Sequence, residues 1–155
     1  MSESPPLSET VRIGAEIAHP VAEVWAAFAD TAARATWGVP DGEAMVYDHD
    51  DFRAGGSTAF RCGTPGVLEF HASGDYPRIE PEAYAVSTET LRSGDQILST
   101  AIVTWTFTAT PAGTHVEITD QLVSFVGEGM VDGHRNGHTI ALRQLGDFLD
   151  AGGQH

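Results

Sequence analysis

The sequence has 155 residues, enough for one compact domain with a hydrophobic core. Its 41% hydrophobic and 19% charged residues are ordinary for a globular protein and exclude collagen-like, fully disordered and coiled-coil chains. The 8 basic residues, all arginines scattered singly along the chain, stand against 22 acidic residues, and the net charge of -14 argues against nucleic acid or an anionic membrane surface as a partner.

The N-terminal part of the chain predicts a strand followed by two helices. Residues 1–9 are predicted to form a flexible tail, and the alternation of apolar residues from Val11 to Ile17 predicts the first strand. Pro20 suits the first position of a helix whose apolar residues recur at helical spacing through Phe28. Asp30 is predicted to cap a second, shorter helix that ends before Pro40.

The middle of the chain predicts six strands separated by short turns. Turns rich in glycine and proline separate the segments, and no connection is long enough for the crossover helix that a parallel pair requires. The strands are therefore predicted to form an antiparallel meander. They are assigned to Glu43–Asp50, Ser57–Gly63, Gly66–Tyr76, Tyr84–Leu91, Gln96–Thr110 and Thr114–Ser124.

The last element is predicted to be a long helix from about Met130 to Leu149, with one apolar face. Three internal glycines weaken it in isolation, so the helix is predicted to lie against the sheet. Residues 151–155 are predicted to form a second flexible tail, which leaves 10–150 as a single domain. The order of elements predicts an α+β fold, in which a seven-stranded antiparallel sheet wraps around the C-terminal helix.

With this order of elements, a set of short motifs resembles the START-related superfamily, also called SRPBCC or helix-grip proteins. Within that superfamily the chain is similar to the bacterial branch related to the activator of the heat-shock ATPase and to polyketide cyclases and dehydrases. The motifs span Val11 to Leu149, nearly the whole chain. They are Ala18–Trp25, Trp37 with Gly38 and Pro40, Phe52–Gly56, Gly74–Tyr76, Ile79–Pro81, Thr104–Phe107, Gly113 with Thr114, and Gly137 with Leu142 and Leu145.

The resemblance implies a helix-grip fold with a cavity between the sheet and the long helix, which admits hydrophobic small molecules in many relatives. It does not imply a single activity, because the relatives include lipid and steroid carriers, cyclases, hormone receptors and chaperone-associated domains. Function must therefore be argued from the side chains that face the cavity.

Alternation along the strands and helical spacing predict which side chains contact a ligand. Trp37 follows the second helix, which forms part of the cavity mouth in relatives, and is predicted to be a lid residue. For the aromatic residues on an inner sheet face, a plain core position is the favoured interpretation and ligand contact the alternative. The full predicted set is Trp37, Phe60, Phe70, Trp105, Phe107, Met130, His134 and His138.

His134 and His138 are the most chemically suggestive pair, because residues four apart project from the same face of a helix. Asp120 is predicted to face inward on an otherwise apolar strand, where a carboxylate must be paired, solvated or raised in pKa. These three residues are candidates for acid–base catalysis or polar ligand recognition. The alternative is that Asp120 ends its strand at solvent and that both histidines bond water or backbone at the cavity rim.

No cofactor and no bound metal are expected, because two histidines at this spacing lack the third protein ligand of a usual catalytic zinc site unless Asp120 supplies it. The lone Cys62 is predicted to be a small buried hydrophobe and not a nucleophile. With one cysteine, no signal-peptide pattern and no apolar run of membrane length, the protein is expected in the cytoplasm.

Three functions remain open from the sequence. The first is binding of a hydrophobic or aromatic small molecule in the cavity. The second is a cofactor-independent cyclase, dehydratase or isomerase, with Asp120, His134 and His138 moving protons. The third, suggested only by the resemblance, is a chaperone-associated interaction module. The predicted partner is a hydrophobic small molecule, and a homodimer is left open.

Overall fold

One antiparallel sheet bent around a long helix forms the fold in a computed structural model, which describes residues 5–153. Its elements, in chain order, are β1 (Leu7–Ile17), α1 (Val21–Ala29), α2 (Thr31–Trp37), β2 (Ala44–Asp50), β3 (Ser57–Gly63), β4 (Phe70–Asp75), β5 (Arg78–Glu80), β6 (Tyr84–Ser93), β7 (Gln96–Thr110), β8 (Gly113–Ser124) and α3 (Glu128–Asp150).

The sheet has the order β1-β8-β7-β6-β4-β3-β2. The short β5 pairs with the same edge of β6 as β4 does, further along that strand, so β4 and β5 together occupy one strand position. All of the pairings are antiparallel. The predicted α+β architecture, with seven strand positions around a C-terminal helix, is confirmed.

The tails differ in part from the prediction. β1 begins at Leu7, whose backbone pairs with Ser124 of β8, so Leu7–Glu9 belong to the sheet and not to a tail. Pairing with β8 satisfies the backbone hydrogen-bonding groups of these residues. The periodicity of the sequence did not reveal this pairing. Residues 1–4 and 154–155, which the sequence assigned to tails, lie outside the described residues.

Hydrogen bonds between side chains and backbone fix the start of α2 and tie its end to α3. Asp30 accepts hydrogen bonds from the backbone N–H groups of Ala32 and Ala33, which caps α2 as predicted. On α3, the Gln144 amide donates to the carbonyl oxygens of Trp37 and Val39, at 2.8 and 2.6 Å. These bonds tie the long helix to the end of α2 and position Trp37 beside the sheet.

The core and a cavity share the concave face of the sheet. α3 packs mainly on β1 and β8, where Leu142 and Leu145 are buried against Ile118. Strands β2, β3 and β6 curve over the other flank of α3 and leave a cavity there. Within residues 5–153, no helix is both long enough and apolar enough to cross a membrane.

Candidate functional site

The cavity encloses about 310 Å³ between α3, α2 and the strands β2, β3, β6 and β7. Aromatic side chains from four of these elements and from α1 and the β4–β5 turn form much of its wall. A concave, largely apolar site of this volume with a few polar groups is the usual form of a small-molecule pocket. The aromatic residues of the lining are Phe28, Trp37, Tyr47, Phe60, Tyr76 and Trp105.

Five of the eight predicted ligand contacts line this cavity: Trp37, Phe60, Trp105, His134 and His138. Trp37 is only 3% exposed, and its indole N–H donates to the carbonyl of Ala27, so it forms part of the wall and is not a lid.

The other three predicted contacts lie outside the lining. Phe107 packs edge-on against Trp25 of α1, with ring centroids 5.1 Å apart, so it belongs to the core. Met130, in the first turn of α3, packs against that core as well. Phe70, at the start of β4, pairs with Cys62 at the end of β3. Alternation identified the face of Phe70 and Phe107, and helical spacing that of Met130, but position along the strand or helix decides whether that face meets the cavity.

Asp120 of β8 lies under α3 and holds both histidines. Its Oδ2 accepts hydrogen bonds from His134 Nδ1 at 2.6 Å and from His138 Nε2 at 2.8 Å. The Asp120 side chain is fully buried, which rules out the alternative that it ends the strand at solvent. His134 Nε2 lies 3.2 Å from the hydroxyl of Ser99 on β7. The predicted proximity of the three residues is therefore present, although their role stays a prediction.

The cluster favours an ion pair between Asp120 and His134. Burial opposes ionisation of Asp120, but hydrogen bonds from His134 and His138 outweigh it, and the pKa of Asp120 lies below its usual value of 3.8. Burial likewise favours neutral His134, but the hydrogen bond and charge of Asp120, helped by Glu89, raise the pKa of His134 above 6.5. The second carboxylate oxygen, Oδ1 of Asp120, is buried without a hydrogen-bond partner in the described chain.

A divalent metal is the group that two imidazoles and a carboxylate most often share. One donor atom from each of Asp120, His134 and His138 lies within 4.8 Å of the others. Both imidazole nitrogens, however, are directed at the same carboxylate oxygen at hydrogen-bond distance. The arrangement fits protons between these atoms better than a metal, which would require Asp120 to move aside.

A second polar group, absent from the sequence prediction, is built around Arg34 of α2. Its guanidinium forms a 3.1 Å ion pair with Asp50, and the Asp50 side chain is 1% exposed. Tyr76 donates to the other oxygen of Asp50 at 2.5 Å, and Arg34 also donates to the hydroxyl of Tyr47. Arg34, Tyr47 and Tyr76 line the cavity, so this network forms part of its polar wall.

Asp50 faces inward, which strand alternation does not predict. Simple alternation from Tyr47, which lines the cavity, assigns Asp50 to the outer face. The register between β2 and β3 shifts between Tyr47 and His49, and this β-bulge returns Asp50 to the inner face, opposite Thr58. No sequence signal marks that bulge.

Glu89 of β6 is a third polar group that the sequence prediction missed. Together with Ala85, Ser87 and Leu91, at alternate positions of the strand, it lines the cavity. Burial raises the pKa of Glu89, and electrostatic interaction with His134 and His138 partly offsets this increase. Alternation from Ala85 could have assigned Glu89 to the inner face of β6. The opposite face begins with Tyr84 and Val86, which are equally typical of a strand, so the sequence does not show which face is the inner one.

Cys62 also lines the cavity, and burial raises the pKa of its thiol to about 11. A thiol with so high a pKa stays protonated at neutral pH and is a poor nucleophile. The prediction that Cys62 acts as a small hydrophobe agrees with this environment.

Solved structures of bacterial proteins share the fold. An uncharacterised protein from Rhizobium leguminosarum superposes with a TM-score of 0.81 at 24% identity, over 95% of this chain and 97% of that one. A protein from Rhizobium loti has a TM-score of 0.75 at 26% identity, over 91% and 99% of the two chains. DynU16, from the dynemicin biosynthetic locus, has a TM-score of 0.70 at 20% identity, over 92% of this chain and 48% of DynU16.

A comparison with curated proteins finds no significant match. The family model described as activator of Hsp90 ATPase homolog 1-like protein matches residues 18–150, which includes every element of the structure except β1. That family is of the SRPBCC type, in agreement with the helix-grip architecture of the sheet and α3. The chain therefore belongs to the activator of Hsp90 ATPase homolog 1-like family.

Proposed function

We propose that the protein binds a hydrophobic or aromatic small molecule in the cavity between the sheet and α3. The observation that carries this proposal is the cavity of about 310 Å³ with its wall of aromatic side chains. Pockets of roughly 300 Å³ and more are of a size that holds small organic ligands, and apolar walls supply most of the binding free energy. Membership of an SRPBCC-type family supports the same function.

The test uses 2-naphthalenemethanol as a neutral aromatic probe. Two of the three tryptophans, Trp37 and Trp105, line the cavity, so their fluorescence reports on its occupancy. The probe is expected to quench this fluorescence saturably and to raise the melting temperature with concentration, because a ligand that binds only the folded state stabilises it.

A cavity-filling variant and a matched control locate the probe. Ser87→Leu adds bulk to the cavity wall and should weaken binding about tenfold or more, since even one methylene that does not fit is felt in a packed site. Thr90→Leu places the same side chain on the opposite face of β6 and should leave affinity unchanged. Equal affinities in both variants, or no saturable binding by the wild type, would reject the cavity as the site.

Acid–base catalysis is a second candidate, favoured by how Asp120 holds His138. Asp120 accepts from Nε2 of His138, and within residues 5–153 nothing hydrogen-bonds the other ring nitrogen, Nδ1. His138 lines the cavity, so a free imidazole nitrogen oriented by a buried carboxylate is available to take a proton from a bound molecule. This is the arrangement that a cofactor-independent isomerase or cyclase needs.

Deuterium exchange tests the second candidate without knowledge of the substrate. The methyl protons of 2-acetonaphthone, a ketone of suitable shape, exchange slowly with D2O, and a positioned base should accelerate that exchange about 100-fold. His138→Gln should abolish the acceleration while the ketone still binds. Exchange at the same rate with and without wild-type protein would exclude His138 as a base toward ketones.

A further inference from the structure

Glu89 stands in the middle of the cavity wall. It lies on β6 between Ser87 and Leu91, both of which also line the cavity, and its side chain is half-buried. His134 and His138 of α3 line the same cavity as Glu89 and lie close enough to interact with it electrostatically. Any molecule bound between β6 and α3 therefore meets Glu89.

Glu89 is left without a protein partner. Within the part of the chain that the structure describes, no donor hydrogen-bonds its carboxyl, and no arginine or histidine forms an ion pair with it. Both histidines are directed at Asp120 instead, so one buried carboxylate has two imidazoles and the neighbouring one has none. The other cation of the cavity, Arg34, is paired with Asp50.

An unpaired carboxylate in a partly desolvated site is costly, and a bound cation removes that cost. The wall around Glu89 suits an organic cation, because the faces of Trp37, Trp105 and Phe60 carry partial negative charge that attracts positive groups. Glu43, an exposed residue of the lining, adds a second negative charge. A bound anion would be repelled by both glutamates.

Resting on the proposed binding function, we infer that the cavity selects molecules whose aromatic or aliphatic body ends in a protonated amine, and that Glu89 binds that amine. The body occupies the aromatic wall, and the ammonium group donates hydrogen bonds to the Glu89 carboxylate. Glu89 is thus the residue that determines specificity, while the apolar wall supplies general affinity. The amine supplies the direct ion pair that Glu89 lacks within the described residues, because the nearby histidines are bonded to Asp120.

Three naphthalene probes of nearly equal shape test the assignment. They are 2-naphthylmethylamine, 2-naphthalenemethanol and 2-naphthoate, which carry a cation, a neutral hydroxyl and an anion at the same position. By isothermal titration calorimetry at pH 7.5, the wild type is expected to bind the amine at least tenfold more tightly than the alcohol, and the carboxylate most weakly. This comparison needs no variant and so does not depend on a substitution being tolerated.

Two variants then assign the preference to one residue. Glu89→Gln keeps the shape of the side chain and should reduce the amine-to-alcohol preference to less than threefold, with affinity for the alcohol retained. Glu80→Gln removes an exposed carboxylate of β5 that lies outside the cavity lining and should keep the preference. A circular-dichroism spectrum like that of the wild type confirms that each variant is folded.

The outcomes separate the inference from the proposed function. If none of the probes binds the wild type, the proposed function fails and the amine assignment with it. If the alcohol or the carboxylate binds as tightly as the amine, binding stands and the assignment is wrong. If Glu89→Gln is folded and keeps the preference, or if Glu80→Gln loses it, Glu89 is not the amine-binding residue.

Discussion

At the scale of single residues, three carboxylates in or beside the cavity differ in what neutralises their charge. Asp120 is paired with two histidines, and Asp50 with an arginine and the hydroxyls of Tyr76 and Thr31, whereas Glu89 has no hydrogen-bond or ion-pair partner within the described residues. Removing one partner of a buried pair is costly because the other charge is left in a medium that solvates it poorly. Each pair therefore makes a separate prediction for stability.

Asp120→Asn should destabilise the protein by about 3 kcal/mol near pH 5.5, since it removes a buried charge that accepts two hydrogen bonds. The pKa of Asp120 is lowered from 3.8, so its contribution is lost as the pH falls through that lower pKa. The pKa of His134 is raised from 6.5, so its contribution is lost as the pH rises through that higher pKa. The stability difference between wild type and variant should therefore be largest between these limits and smaller at pH 9.

Urea unfolding followed by tryptophan fluorescence from pH 5 to pH 9 measures this difference. Asp147→Asn, at an exposed position of α3, serves as the control and should show no such maximum. A stability loss for Asp120→Asn that stays constant over this range would contradict the ion pair with His134.

Arg34→Met should cost about 3 to 5 kcal/mol, because it leaves Asp50 buried without its cation. The double variant Arg34→Met with Asp50→Leu should recover most of that loss, since it removes both charges together. Arg61→Met breaks the exposed pair with Asp48 and should cost less than about 1 kcal/mol. Denaturant unfolding of the four proteins checks this, and a double variant as unstable as Arg34→Met would show that the pair is not the source of the loss.

At the scale of elements, α3 depends on the sheet more than on its own helical propensity. It has no side-chain hydrogen bond at its N-terminal cap, and glycines interrupt it. Buried Leu142 and Leu145 hold its C-terminal half, while the bonds from His134 and His138 to Asp120 hold the half that borders the cavity. The stability of the helix should therefore respond to changes on its exposed face.

Gly133→Ala should stabilise the protein by about 1 kcal/mol, because alanine is the better helix former and a Cβ at Gly133 meets no atom within 4 Å. Gly113→Ala is the contrasting change. Gly113 has φ +153°, and a Cβ there would lie 2.2 Å from the carbonyl oxygen of Ile17. Thermal unfolding should therefore shift up for Gly133→Ala and down for Gly113→Ala, and a lower melting temperature for Gly133→Ala would contradict this view of α3.

At the scale of the whole molecule, the net charge of -14 means that the excess carboxylates repel one another across a small fold. At 0.1 M salt, the repulsion between exposed charges more than about 10 Å apart is largely screened. The buried ion pairs are screened much less. The melting temperature should therefore rise by several degrees between 20 mM and 300 mM sodium chloride. The melting temperature of a variant with lysine at the exposed positions Asp95, Asp132 and Asp147 should respond less to salt. A fall in the melting temperature of the wild type with added salt would contradict repulsion among the carboxylates.

Short-range patterns in the sequence were sufficient for the helices, for every strand except the short β5 (Arg78–Glu80), and for their order. Alternation identified the strands, helical spacing identified α3, and short connections implied antiparallel pairing, because these features depend on residues close together in the chain. The approach of Asp120 to His134 and His138 was predictable for the same reason, since each lies on the inner face of its own element. The length of β1 was underestimated because its first residues gain their order from pairing with β8.

The sequence by itself determined the helix-grip fold, the apolar lining and one polar cluster of this protein. Only the tertiary structure decided that Asp50 turns inward at a β-bulge, that Phe107 lies in the core and not in the cavity, and that Glu89 faces α3 without a partner. The physical reason is that periodicity assigns a side chain to a face. Strand register, bulges and the path of the helix across the sheet decide what that face meets.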